Sequence, residues 1–267
     1  MNKQYLVDQI RAKKSYLCVG LDTDPSLIPS HLLKEDDPIF TFNKAIIDAT
    51  LDHCVAYKIN TAFYESQGLE GWKALEKTVN YIPSTHFKIA DAKRGDIGNT
   101  SAQYAKAFLQ NLPFDSITIA PYMGADSVKP FLAFKDKWAI VLGLTSNSGA
   151  TDFELQKLTS GQSLYELVLS TVASWGTTDN LMFVVGATQS DEFLHIRKII
   201  PQHFLLVPGV GAQGGSLEEI SKKAMNEEVG LLVNVSRDII YCSKEMNFAQ
   251  QAGERAKHYA LQMAKFL

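Results

Sequence analysis

Cysteine is scarce in this chain. Cys18, Cys54 and Cys242 are three among 267 residues, odd in number and widely spaced. Cys18 and Cys54 sit in apolar, strand-like runs, so they read as buried reduced thiols of a cytoplasmic protein rather than as a disulfide framework. No Cys-x-x-Cys and no His-x-x-x-His occurs, which removes the common zinc signatures. No apolar run reaches the ~18 residues that a membrane-spanning helix needs. The first residues, Met1-Asn2-Lys3-Gln4-Tyr5, lead into a charged segment without an apolar stretch, so no secretory signal is expected. Excess basic charge is also missing. The net charge is −3, and no global positive field invites nucleic acid. Linkers, low-complexity tracts and repeats are absent, so one domain is expected over residues 1–267.

A substantial core can form from what is there. Hydrophobic residues make up 46% and charged residues 21%, enough apolar surface to offset the entropy of ordering the chain. Eight short apolar runs stand out: Tyr16–Leu21, Cys54–Ile59, His86–Ala90, Ser116–Ala120, Trp138–Leu144, Leu181–Val185, Phe204–Val207 and Gly230–Val235. Most are continuous rather than alternating, as parallel strands covered on both faces are. Helical patterns fall between them: Lys3–Lys13, Phe40–His53, Gly68–Val79, Ser101–Gln110, Ser163–Ser174, Asp191–Ile200, Ser216–Glu228 and Asn247–Leu267. Thr145–Gly161 is polar and Gly/Ser-rich, the composition of a mobile loop. Eight β units with crossover helices predict a single (β/α)8 TIM barrel of the α/β class; a doubly wound open sheet is the rival.

In a barrel, chemistry gathers where strands end. The first run ends in Gly20-Leu21-Asp22, the second in Lys58-Ile59-Asn60 and the third in Asp91-Ala92-Lys93-Arg94-Gly95-Asp96. The fifth ends in Thr145-Ser146-Asn147, the seventh in Pro208-Gly209-Val210-Gly211-Ala212-Gln213-Gly214-Gly215 and the eighth in Ser236-Arg237-Asp238. In an extended chain Asp91 and Lys93 point the same way, and Lys58 ends the neighbouring strand. Such alternation holds each group charged in a half-buried pocket. It serves either as an ion-pair network fastening the rim or as a site in which Lys93 donates a proton while carboxylates orient it. The glycine-rich segment can aim backbone N–H groups at an anion, with Arg237 adding a bidentate contact; the alternative is a glycine turn beside a surface arginine. Gly209-x-Gly211-x-x-Gly214 also spells a dinucleotide fingerprint, but it comes late in the chain. Glu227 and Glu228 would lie on the following helix rather than at the end of a second strand. His31, His53, His86, His195, His203 and His258 show no nucleophile pairing or metal spacing and read as surface or packing residues.

The run Asp91-Ala92-Lys93-Arg94-Gly95-Asp96-Ile97-Gly98-Asn99-Thr100 resembles the D-x-K-x-x-D-I-x-N-T signature of orotidine 5′-monophosphate decarboxylases. Leu17-Cys18-Val19-Gly20-Leu21-Asp22 is similar to that family's first strand, and the segment from Pro208 to Gly215 to its phosphate loop. Thr145-Ser146-Asn147-Ser148-Gly149-Ala150 is similar to the T-S-N-P-G-A loop of a longer-chain bacterial subgroup, with Ser148 where that loop has Pro. The resemblance implies a homodimeric barrel with shared active sites, needing no cofactor or metal, that converts orotidine 5′-monophosphate to UMP and carbon dioxide. It implies that Asp91 faces the substrate carboxylate and that Lys93 protonates carbon six. By the same resemblance, Asp96 would reach into the partner subunit's site and complete an array with Lys58. Asp22 and Lys58 would hold ribose hydroxyls, Thr100 would contact ribose in the partner's site, and Ser146 would read the pyrimidine edge. Gln213 and Arg237 would hold the phosphate, with Pro208 and Gly214 in the same loop. Two rivals remain open at this point. One is a magnesium-dependent sugar-phosphate enzyme that shares D-x-K-x-x-D, such as a hexulose-phosphate synthase. The other is a catalytically idle phosphate-ligand binding protein.

Overall fold

A computed structural model of the chain describes residues 1–211 and 214–267. Along the chain run α1 (Lys3–Lys13), β1 (Leu17–Gly20), α2 (Pro38–Thr50), β2 (Ala56–Asn60), α3 (Ala62–Glu65), α4 (Gly68–Tyr81), β3 (Phe87–Arg94), α5 (Gly98–Lys106), β4 (Ser116–Ile119), α6 (Ala125–Leu132) and β5 (Trp138–Leu144). Then follow α7 (Leu164–Ala173), β6 (Leu181–Val185), α8 (Phe193–Ile199), β7 (Phe204–Pro208), α9 (Leu217–Ala224), β8 (Leu231–Val235), α10 (Arg237–Ile240) and α11 (Phe248–Met263). Each strand pairs in parallel with the next. β8 also pairs with β1, in the register Cys18 to Asn234, and this closes the sheet. That last pairing decides for the (β/α)8 barrel over the open sheet. The continuous apolar runs have their physical cause here: β1, β4, β6 and β8 are buried along their whole length, with side chains inside the barrel on one face and helices on the other.

The helices carry their stop and start signals locally. Asn2 accepts from the Tyr5 amide at 2.9 Å and begins α1, and Lys14 ends it in the left-handed region at φ 51°. Ser163 and Glu166 form a reciprocal capping box on α7. Ser216 caps α9 through the Glu219 amide at 3.3 Å, with Glu218 and Glu219 in the first turn and Lys222 and Lys223 in the last.

Four details differ from the pattern-based expectation. β3 runs past Ala90 to Arg94. Its pairing with β4 shifts register between Ala90 and Arg94, and Lys93 adopts φ 46° there. α6 has no counterpart among the expected helices, because Pro130 inside it reads as a breaker; burial of Val128 and Phe131 holds the turn nonetheless. α9 stops at Ala224, so Glu227 and Glu228 are not helical as expected. They lie in a turn closed by an Asn226–Val229 bridge, and the Asn226 side chain accepts from the Glu228 amide at 3.0 Å. Residues 145–161 are folded rather than loose: a short 3-10 turn spans Ser148–Thr151, and Lys157 bridges Ser163. No helix among the described residues is long and apolar enough to cross a membrane. Cys18, Cys54 and Cys242 are free thiols, the first two buried.

Candidate active site

The C-terminal ends of the strands open onto one pocket. Its walls include Asp22 after β1, Lys58 and Asn60 on β2, and Asp91 and Lys93 on β3. Across the mouth stand Pro208, Gly209 and Val210 after β7, with Asn234, Ser236, Arg237 and Asp238 from the end of β8. Six expected site residues therefore meet in one cavity: Asp22, Lys58, Asp91, Lys93, Pro208 and Arg237.

Asp91 is the hub. Its Oδ2 accepts from Lys58 Nζ at 3.0 Å, and its Oδ1 accepts from Lys93 Nζ at 2.6 Å and from the Thr118 hydroxyl at 2.9 Å. Lys58 Nζ also reaches Asp22 Oδ1 at 3.1 Å. Burial opposes the charge on Lys58, but Asp22 and Asp91 outweigh it and hold the ammonium well above its ordinary pKa. Burial likewise works against the Asp91 carboxylate. The two lysines prevail and keep it far below the usual carboxylate range. Lys58 and Asp91 thus both stay charged at neutral pH, and Lys93 is half-exposed at the open side.

The array is held by the backbone that carries it. Thr118 accepts from the Lys93 amide at 3.0 Å while donating to Asp91, so one hydroxyl fixes both residues across the bulge. The alternation expected of an extended strand does not hold at Lys93, yet its ammonium still arrives beside Asp91. Arg94 turns away, pairing with Glu65 and lying 5.6 Å from the Tyr104 and Phe108 rings. Just after β1, Tyr64 Oη donates to the Leu21 carbonyl at 3.0 Å and Tyr241 Oη to the Asp22 carbonyl at 3.0 Å. These two phenols lock the segment that presents the Asp22 carboxylate.

In the segment after β7, Gly209, Gly211 and Gly214 take φ values of 103°, 80° and 86°, a region side chains other than glycine rarely enter. At Gly211 an added Cβ would also stand 2.8 Å from Tyr259 Oη. Gln213 lies outside the described residues. Asp238 is engaged by Tyr259 Oη at 2.7 Å and by Arg255 at 3.5 Å.

The remaining expected residues lie outside this cavity. Asp96 accepts from the Ile97 amide at 2.7 Å, and Thr100 is exposed on α5. Gly214 belongs to the glycine loop but does not line the cavity. Ser146 packs against the backbone of Gly186, and its buried Oγ finds no hydrogen-bond partner among the described residues. Its neighbour Thr145 is gripped on three sides: the Glu154 carboxylate accepts from its amide at 2.7 Å and its hydroxyl at 2.8 Å, and Gln189 donates to its carbonyl at 2.9 Å.

With this geometry in place, the chain can be set beside known proteins. Residues 15–251 match the Orotidine 5′-phosphate decarboxylase / HUMPS family. The chain belongs to that family. The orotidine 5′-phosphate decarboxylase of Phocaeicola vulgatus is 60% identical over 270 residues, covering 100% of this chain and 99% of the relative. That of Bacteroides fragilis (strain YCH46) is 59% identical over 270 residues, covering 100% and 98%. Among solved structures, Leishmania donovani OMP decarboxylase superposes with a TM-score of 0.84 at 32% identity, over 99% of both chains.

Sequence reasoning passed over Thr118 and Asn234. Each is a polar residue inside an apolar strand run, where burial makes an unsatisfied group costly, and that mismatch is the signal that could have found them.

Proposed function

We propose that this chain decarboxylates orotidine 5′-monophosphate to UMP, acting as a carboxy-lyase of pyrimidine biosynthesis. What carries the reading is the Asp22–Lys58–Asp91–Lys93 array, charged and interlocked within one pocket that ends at Arg237, in a chain related over its full length to enzymes named for that reaction.

Loss of carbon dioxide from the pyrimidine leaves an electron pair in the ring plane, where the ring cannot delocalise it. Lys93, half-exposed at the pocket's open side, supplies a fixed positive charge beside carbon six and then its proton. Asp91 faces the departing carboxylate and holds the Lys93 ammonium in place; Lys58 and Asp22 hold ribose hydroxyls. Ser146, whose hydroxyl is free of protein partners among the described residues, reads the pyrimidine edge. Pro208, Gln213, Gly214 and Arg237 take the phosphate. Enzymes reach accelerations of about 10¹⁷-fold, roughly 23 kcal/mol, more than one lysine supplies. Phosphate binding remote from the breaking bond contributes by organising the array. No cofactor takes part in this scheme, because the charges on the chain meet the need.

Asp96 and Thr100 complete the site of a partner subunit in a homodimer. Two observations support this: both lie outside their own chain's pocket, and large apolar side chains stand exposed on the same mouth, with Ile97 at 62%, Tyr122 at 88% and Phe153 at 67%. The enzyme is cytoplasmic in this reading, in keeping with its free thiols, and it binds neither nucleic acid nor membrane.

The test follows the ultraviolet absorbance of orotidine 5′-monophosphate with EDTA present. Turnover is expected, and inertness with the purified, folded chain overturns the proposal. Loss of activity to EDTA favours a magnesium-dependent sugar-phosphate chemistry instead. Lys93→Ala abolishes turnover while leaving the circular dichroism spectrum unchanged; a folded, fully active variant removes the proton-donor role.

A further inference from the structure

Asn234 is 5% exposed, lies within an otherwise apolar strand, and still lines the nucleotide pocket. Its buried Oδ1 has no hydrogen-bond partner among the described residues, and its Nδ2, the group able to donate into the cavity, donates to none of them. A buried amide left unsatisfied costs about 1–3 kcal/mol, and a strand position of this kind takes valine or leucine without that cost. An unpaired amide facing a ligand cavity is therefore an amide waiting for a ligand.

Its place in the barrel says which part of the ligand. Register pairs Asn234 with Pro208 on β7 and with Cys18 on β1. Around it in the pocket stand Gly209, Val210, Ser236 and Arg237, the wall assigned to the phosphate, whereas Asp91 and Lys93 belong to β3, on the wall assigned to the base. Ser236, two residues on, is already committed, donating to the Gly20 carbonyl at 3.1 Å. We propose that Asn234 is a further substrate-binding residue whose Nδ2 donates a hydrogen bond to the ribose-phosphate end of the nucleotide, adding a neutral donor beside the arginine. This rests on the nucleotide reading of the site given above.

The experiment separates the two. Turnover of orotidine 5′-monophosphate by the unaltered chain tests the nucleotide reading by itself. Titration calorimetry of Asn234→Ala, Asn234→Leu and Asn234→Asp with UMP and with uridine then tests the residue. UMP binding is expected to weaken about tenfold in Asn234→Ala and Asn234→Leu, the size of one hydrogen bond to a charged group, with uridine binding unchanged. Asn234→Asp weakens UMP further, since a carboxylate faces the phosphate, and leaves uridine unchanged. Equal weakening of UMP and uridine overturns the assignment to the phosphate end. Unaltered UMP binding in active, folded variants also overturns it, leaving the amide a packing residue. Inertness of the unaltered chain overturns the nucleotide reading and the inference together.

Discussion

Gly186→Ala tests how the barrel holds the base-side loop. Gly186 follows β6, and its amide donates to the Leu144 carbonyl at 2.8 Å, tying it to the strand that leads into Ser146. A Cβ built at Gly186 lies 2.0 Å from Ser146 Oγ, 2.7 Å from its amide nitrogen and 2.9 Å from its Cβ, against ordinary contacts of 3.4–4 Å. The nitrogen alone must retreat by 3.4 − 2.7 = 0.7 Å, and the hydroxyl must move further. Thr145, pinned by Glu154 and Gln189, cannot absorb that shift freely. A misplacement of about 1 Å at a substrate contact costs about 100-fold in rate, or about 2.7 kcal/mol of barrier. The expected result is a folded protein with kcat/KM reduced about 100-fold, the strain itself lowering stability by about 1–3 kcal/mol. Steady-state kinetics by ultraviolet absorbance, with thermal melting alongside, reads both. If the alanine acts by displacing Ser146, then adding Ser146→Ala to Gly186→Ala costs little more than Gly186→Ala alone. Wild-type kcat/KM in Gly186→Ala, or full additivity in the double variant, refutes the reasoning.

Three further outcomes are expected. Arg237→Ala lowers kcat/KM for orotidine 5′-monophosphate about 100-fold, roughly 3 kcal/mol of charge-assisted contact, and leaves the bare nucleoside unaffected; equal losses contradict a phosphate role. Burial, reinforced by Lys13 and Arg197 respectively, pushes His86 and His203 down to about 4 from 6.5. The fold favours their neutral forms, so the stability each contributes is present above pH 6.5 and is lost as pH falls from 6.5 toward 4, by up to about 3 kcal/mol each. Urea midpoints should fall over that window, and His203→Phe should fall less; identical slopes in the two proteins remove histidine as the cause. Finally, half-buried Arg197 donates to the carbonyls of Ala224 at 2.6 Å, His203 at 2.6 Å, Gly230 at 2.9 Å and Ile200 at 3.3 Å. Arg197→Met strands these acceptors and should cost about 3–5 kcal/mol in urea unfolding, with kcat of the folded fraction unchanged; a stable variant shows that the carbonyls find other donors.

Much of the architecture is legible from local pattern. Trp138–Leu144 and Leu181–Val185 read as strands with the bounds they have, because both faces are buried and the apolar run is unbroken. Lys3–Lys13 reads as a helix for an equally local reason, its amphipathic spacing, and the Asn2 cap found in the structure starts it there. α6 escapes notice because tertiary burial of Phe131 overrides the local veto of Pro130. The extension of β3 to Arg94 escapes because charged residues resemble a strand's end until a pocket is there to receive them. In the site, Asp91 and Lys93 are legible as two residues apart in one run, and Lys58 as a strand terminus.

The amino-acid order by itself determined the eight strand runs and most of the helices between them, the charges at the strand ends and the glycines of the phosphate-side loop, because each depends on neighbours within a few residues. Tertiary structure alone decided that β8 returns to β1, that Thr118 bridges Asp91 and Lys93, that Ser146 packs on Gly186, and that Asn234 faces a cavity. Those contacts join residues far apart in the chain. They exist only once closure of the barrel sets the relative height of every strand, and no local propensity encodes that height.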